Sequence, residues 1–149
     1  MHEKKLRIEQ IRIRLREIED SIEIIKENFS PDCEYTRFLS MGIVKDGIYK
    51  RLEYAIQTAF DICAIINRDL RCGVPEDEED IIEKLCTKGI IDPDFSETIK
   101  KMKSFRNILV HRYGKIDDQT GFYILKNHLG DLYDFCDQIE LYIQNIQKK

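Results

Sequence analysis

The chain lacks any apolar run approaching the roughly 18 residues that a membrane-spanning helix needs. Its first ten residues are charged and contain no hydrophobic stretch of the secretory type. Charged residues make up 35% of the 149 residues and apolar residues 42%, a balance that excludes both a membrane-embedded and a disordered chain. These absences predict a cytoplasmic protein, and the length suits a single domain over residues 1–149.

The five cysteines include no C-x-x-C pair, and their number is odd. Cys63, Cys86 and Cys136 fall at apolar helical positions, where a buried free thiol acts as a small hydrophobic side chain. A zinc site needs clustered ligands, whereas the three histidines are scattered and no cysteine lies near His111 in sequence. We therefore expect free thiols, no bound metal and no cofactor.

Few segments alternate between apolar and polar residues with the period of two that is typical of β-strands. Apolar residues instead recur every three or four positions, and this spacing predicts helices. The longest stripes cover residues 8–29, 48–66, 95–109 and 125–146. The predicted fold class is all-α, a helical bundle of four main helices plus one or two short ones.

Cap and turn residues suggest where the later helices begin and end. Gly89 follows a short helix with acidic residues in its first turn, and Asp92 is expected to cap the helix after it. That helix is expected to run to about Tyr113. One last helix is expected to open at Asp117 or Asp118.

Acidic residues are missing from one basic stretch of an otherwise acidic chain. The net charge is −4, and residues 71–97 carry nine acids and three bases. Residues 100–116 carry six bases and no acid. The overall balance argues against a general DNA-binding protein, but a local basic patch of this kind can bind phosphates.

The basic stretch contains "SFRNILVHRYGK", residues 104–115. On a helical wheel, Asn107 lies one turn before His111, on a face opposite the apolar arc, and Arg106 borders that arc. Two interpretations are open from the residues alone. Basic side chains near the end of a helix stabilise its dipole, and an Arg with a titratable His also suits phosphate chemistry.

The stretch "RNILVHRY" resembles the R-N-x-x-x-H-x-Y motif of HEPN-domain proteins of the HepT-like branch. Further stretches are similar to the same family: "RLEYAIQTAFDICAII" resembles its second long helix, and "KGIIDPDF" with "KMKSFRNILVHRYGKID" resembles the helix pair that follows. The resemblance covers roughly residues 45–118. Arg112 departs from the family pattern, which often has an acid there, and residues 30–45 resemble nothing recognisable.

The resemblance implies a HEPN-type helical bundle and a ribonuclease that needs no metal. RNA carries its own nucleophile, the 2′-OH, so the protein has to supply proton transfer and charge stabilisation. The family pattern implies that His111 transfers the proton, Arg106 holds the phosphate and Asn107 orients His111. A homodimer with both copies of the motif in one cleft is also implied. The cations expected to attract RNA are Lys100, Lys103 and Arg112.

The resemblance also implies a partner. In the HepT-like branch a small nucleotidyltransferase, MntA, is the antitoxin and transfers adenylyl groups to the motif tyrosine, which is Tyr113 in this chain. The alternative function is a non-catalytic companion of such an enzyme that binds a nucleotide or substrate. A helical interaction module with a vestigial site is a third possibility. The sequence does not separate these functions, because binding and cleaving a phosphate use the same residues.

Overall fold

A computed structural model of the chain describes residues 6–111 and 116–148, with the backbone alone at Val110 and His111. The described residues form seven helices and no strand, which confirms the all-α prediction. Four helices are long and three are short, where one or two short helices were expected. In chain order they are α1 (Ile8–Asn28), α2 (Tyr35–Leu39), α3 (Ile43–Asp69), α4 (Glu78–Thr87), α5 (Pro93–His111), α6 (Asp118–Asn127) and α7 (Leu129–Gln147).

Helix α3 is the centre of the bundle and packs against α1, α4, α5 and α7. The apolar stripes predicted from the sequence are the faces that these helices bury, and each buried aliphatic side chain contributes about 1.5–3 kcal/mol. None of the helices in the described part of the chain is long and apolar enough to span a membrane. The buried apolar residues of α3 include Leu52, Ile56, Ala59, Cys63 and Ile66.

Helix α4 is fixed at both ends. Asp77 caps it by accepting a hydrogen bond from the backbone N–H of Asp80 at 2.8 Å. Gly89 follows it with φ 77°, a left-handed conformation that glycine adopts without strain, as its place after the helix predicts. Ile82 and Leu85 are fully buried, so α4 is held firmly beside α3 and α5.

The segment after residue 117 forms two helices and not the single last helix expected. Helix α6 opens at Asp118 with Asp117 as its cap, but the helix is interrupted at His128, whose φ is −125°. Apolar spacing continues across the interruption through Leu125, Leu129 and Leu132, so the sequence pattern does not reveal it. The interruption allows α6 to pack against α2 while α7 packs against α1 and α3.

Gly121 leaves room on α6 for the Tyr49 side chain of α3. The Tyr49 hydroxyl of α3 donates to Asp118 Oδ1 at 2.6 Å, and Lys45 Nζ lies 2.7 Å from Asp118 Oδ2. A Cβ at Gly121 would lie 2.7 Å from Tyr49 Cζ and closer still to its hydroxyl. The glycine is therefore required by the Tyr49 ring packed against it and not by its backbone conformation, which is helical.

We predict that Gly121→Ala lowers the free energy of unfolding by about 1–3 kcal/mol, because the methyl group forces Tyr49 out of place. Urea denaturation measures the change. Gly47→Ala is the matched control: a Cβ there meets nothing within 4 Å, and alanine in a helix should raise stability by up to about 1 kcal/mol. A Gly121→Ala protein as stable as the wild type would contradict this packing.

Candidate active site

Helix α5 carries Arg106 inside its buried stripe, and not at the border of that stripe as the helical wheel predicted. Ile99, Met102, Arg106 and Leu109 recur every three or four residues and are each at most 8% exposed. An arginine is tolerated there because α3 and α4 pack beside α5 and offer polar side chains to its guanidinium.

The Arg106 guanidinium uses its four terminal N–H groups in bonds to three side chains. Nη1 donates to Glu78 Oε2 at 2.7 Å and Nη2 donates to Glu78 Oε1 at 2.6 Å, a two-pronged ion pair. Nη1 also donates to Gln57 Oε1 at 3.1 Å, and Nη2 to Asn107 Oδ1 at 2.9 Å. The guanidinium carbon lies 5.2 Å from the centroid of the Phe60 ring. The single guanidinium of Arg106 is thus bound by side chains from helices α3, α4 and α5.

Gln57 is itself held by a second residue of α3. Its Nε2 donates to Asp61 Oδ1 at 2.9 Å, one turn further along the helix. The amide orientation follows from its partners, since a guanidinium only donates hydrogen bonds and a carboxylate only accepts them. The same argument places Asn107 Oδ1 towards Arg106 and its NH₂ group on the other side of the amide.

The Arg106–Glu78 pair is ionised at neutral pH. Hydrogen bonds from Arg106 hold the pKa of Glu78 below its usual range, and they outweigh the opposing effect of partial burial. The same bonds raise the pKa of Arg106, with smaller contributions from the nearby carboxylates of Asp61 and Glu53. The cation therefore lies in a strongly acidic environment.

The two predicted RNA-binding lysines of α5 also have acidic partners. Lys100 pairs with Glu83 of α4 and lies 3.2 Å from Glu97 Oε2, and Lys103 Nζ lies 3.6 Å from Glu79 Oε1. The charge pattern along the sequence did not reveal these acidic partners. The reason is tertiary, because α4 runs antiparallel to α5 and brings its acids alongside. Surface pairs of this kind contribute about 0–1 kcal/mol each.

The structure brings only part of the predicted site together. Arg106 and Asn107 are in contact, and Asn107 is half-buried one turn before His111. His111 is the last described residue of α5, and its side chain lies outside the described part of the chain. Arg112 and Tyr113 lie outside it as well, so their roles stay predictions.

Three residues of this cluster, Gln57, Asp61 and Glu78, were not among the site residues predicted from the motif. Gln57 and Asp61 lie in the stretch that resembles the family's second long helix, and their spacing of four residues on a largely apolar helix was the available signal. Glu78 gave no such signal, because an acid in the first turn of a helix is already explained by the helix dipole.

A protein-family model described as "Ribonuclease HepT-like" matches residues 18–139, which include every helix that contacts Arg106. The chain belongs to the HepT-like family. This confirms the resemblance noted at the R-N-x-x-x-H-x-Y motif and extends it over most of the chain.

Known proteins similar to this HepT-like chain include two nucleases by name. It is 31% identical to a "Putative RNase" of Archaeoglobus fulgidus over 86% of this chain and 94% of that protein. It is 29% identical to the mRNA nuclease HepT of Shewanella oneidensis over 65% of this chain and 73% of that one. Among solved structures, the tri-AMPylated HEPN toxin of Shewanella oneidensis in complex with MNT antitoxin has a TM-score of 0.77 and 25% identity to this chain. The match covers 88% of this chain and 96% of the toxin.

Proposed function

We propose that this HepT-like protein is the ribonuclease toxin of a toxin–antitoxin pair and cleaves RNA without a metal ion at the end of helix α5. The observation that carries the proposal is the anchored Arg106 on the helix that bears the R-N-x-x-x-H-x-Y motif. Membership of the HepT-like family and similarity to named nucleases support it.

The proposed reaction uses the RNA 2′-OH as nucleophile. Its oxygen forms a bond to the neighbouring phosphorus, and the bond from phosphorus to the 5′-oxygen of the next nucleotide breaks. One imidazole takes the 2′-OH proton and another protonates the leaving oxygen, and we assign both to His111. Arg106 stabilises the charge on the phosphate in the transition state. Asn107 can donate its NH₂ group towards His111, four residues further along the helix.

Two imidazoles in one reaction require two copies of the chain, since this chain carries the motif once. We therefore propose a homodimer in which two α5 helices face each other across a two-fold axis. Each copy would then contribute its own Arg106, Asn107 and His111. The lysines Lys100 and Lys103, with Arg112, would line the approach for the RNA backbone.

The proposed antitoxin is a small nucleotidyltransferase related to the MNT partner of the Shewanella oneidensis toxin. It would silence the nuclease by transferring an adenylyl group from ATP to Tyr113: the phenolic oxygen bonds to the α-phosphorus and pyrophosphate leaves. The group adds a negatively charged phosphodiester and a nucleoside close to His111 in sequence, where they would compete with RNA for the same cations.

Cleavage of a labelled single-stranded RNA in excess chelator tests the proposed function. We expect cleavage to persist in EDTA and the products to carry 2′,3′-cyclic phosphates, because the 2′-oxygen attacks the adjacent phosphorus. A DNA of the same sequence is the control and should stay intact, since it has no 2′-OH. Light scattering on the same sample should give the mass of a dimer.

Two outcomes would contradict the proposal. Cleavage that stops in EDTA and returns with added magnesium would mean a metal-dependent nuclease. RNA or nucleotide binding without any cleavage would favour the non-catalytic companion of a nucleotidyltransferase.

A further inference from the structure

The partners of the Arg106 guanidinium are of two kinds. Gln57 and Asn107 each accept one hydrogen bond, one on either terminal nitrogen, and both are neutral. Glu78 accepts one bond from each nitrogen with the two oxygens of one carboxylate. The neutral partners flank the fork formed by the two terminal nitrogens, and the carboxylate occupies its open end.

A carboxylate and a phosphodiester bind an arginine fork in the same way. Each presents two anionic oxygens to two parallel N–H groups, and arginine is used for both because its geometry matches them. An RNA phosphate that meets Arg106 in this way therefore needs the two N–H groups now bound to Glu78.

The two members of the ion pair differ in their freedom to move. The Arg106 side chain is only 10% exposed, whereas that of Glu78 is 33% exposed. Glu78 is the first residue of α4, and the helix itself is anchored further along by the buried Ile82 and Leu85. The Glu78 carboxylate can therefore rotate into solvent without moving α4, while Arg106 stays bound to Gln57 and Asn107.

We propose that the Glu78 carboxylate occupies the position on Arg106 where an RNA phosphate binds, and that Gln57, held by Asp61, is the positioning residue that keeps the fork in place when RNA displaces Glu78. This inference rests on the proposed function, because it assigns a substrate position within the same site. It makes Glu78 an internal competitor of RNA.

A competing role and a purely structural role for Glu78 predict opposite effects of its removal on RNA binding. A competitor weakens RNA binding, so its removal should tighten binding. A residue that merely supports Arg106 should weaken binding or unfold the protein when it is removed. Glu78→Gln separates these cases, because glutamine is the same size but can offer only one acceptor oxygen to the two donors.

The experiment measures binding of a fluorescent 2′-O-methyl oligoribonucleotide by anisotropy at one fixed salt concentration. This probe keeps the phosphate backbone and has no free 2′-OH, so it is not cleaved by the proposed reaction. We expect Glu78→Gln to lower the Kd about tenfold, the effect of releasing one charge-assisted bonding partner. Cleavage of ordinary RNA should show a similar fall in KM.

Two control variants remove one negative charge, as Glu78→Gln does. Glu79→Gln removes the partner of Lys103 on the neighbouring position of α4, and Glu27→Gln removes an exposed acid of α1. Both change the net charge as Glu78→Gln does, so they measure the non-specific gain in attraction for RNA. We expect less than about twofold tightening for either, since surface pairs are weak.

Gln57→Leu tests the positioning residue. We expect kcat to fall more than about tenfold with a smaller change in KM, because a displaced fork loses transition-state stabilisation more than ground-state binding. Circular dichroism checks that the helices remain. Equal losses in kcat for Gln57→Leu and for Glu27→Gln would contradict the positioning role proposed for Gln57.

The outcomes separate this inference from the proposed function. Tighter binding of the 2′-O-methyl probe by Glu78→Gln, with no RNA cleavage by any variant, supports the inference and contradicts the nuclease. A wild type that cleaves RNA, with Glu78→Gln binding no tighter than Glu79→Gln, overturns the inference and keeps the nuclease.

Glu78→Asp is the second variant, because its shorter carboxylate keeps the charge and reaches the fork less well, and it should also bind the probe more tightly. Unchanged binding by both variants overturns the inference.

Discussion

Replacement of His111 by alanine is expected to lower RNA cleavage by about 10²- to 10⁴-fold, the usual loss when a general acid–base group is removed. In the proposed dimer both proton transfers depend on this residue, so each active cleft loses its acid and its base together. The measurement is the rate of cleavage of a labelled RNA at saturating concentration. In cells, the same substitution should relieve the growth arrest expected of the toxin.

Replacement of Arg106 by lysine is expected to lower cleavage by about 10²- to 10³-fold. Lysine keeps the charge but cannot form the two-pronged bond, so it cannot meet Gln57, Asn107 and a phosphate together. Lysine is a better test than alanine here. Alanine would remove the buried Arg106 side chain that joins α3, α4 and α5, and would confuse catalysis with stability.

Ser104→Ala is the matched control for both substitutions, because Ser104 is exposed on the same helix and takes no part in the cluster around Arg106. Its cleavage rate should equal that of the wild type. Circular dichroism should show all three variants helical. A folded His111→Ala protein that cleaves RNA at the normal rate would contradict the assignment of proton transfer to His111.

Replacement of Tyr113 by phenylalanine is expected to leave cleavage intact and to abolish silencing by the cognate nucleotidyltransferase. Phenylalanine keeps the ring and removes the phenolic oxygen, which is the proposed acceptor of the adenylyl group. Mass spectrometry after co-expression should find adenylyl groups on the wild type and none on the variant. Cells that express both proteins should survive with the wild-type toxin and stop growing with the variant.

Tyr123→Phe is the control for this experiment. Tyr123 lies on α6 and is 58% exposed, so it is an accessible tyrosine outside the motif. Its variant should still be adenylylated and silenced. An adenylyl group found on the Tyr113→Phe protein, or silencing of that protein by an active nucleotidyltransferase, would place the modification on another residue.

The sequence determined the helical framework and the family. Apolar residues spaced by three or four predicted the four long helices because burial of one face is a local, periodic property of the chain. Cap residues were equally informative where the signal is local, as at Asp117 and Gly89. The R-N-x-x-x-H-x-Y stretch identified the HepT-like family because the motif residues lie within eight positions of one another in the sequence.

The interruption at His128 was not predictable from the apolar pattern. Leu125, Leu129 and Leu132 keep a helical spacing across it, so the pattern alone describes one continuous helix. What separates α6 from α7 is the packing of each against different neighbours, with Gly121 fitted to Tyr49 on one side of the interruption.

Only the tertiary structure decided that the cations of the candidate site are paired with acids. The sequence placed Arg106, Lys100 and Lys103 on one helix and the acids of α4 on another, but it did not determine that the two helices lie side by side. That arrangement turns a stretch without a single acid into a row of ion pairs. The physical reason is that burial has a period that can be read along one helix, whereas the partner of a charge depends on which helices pack together.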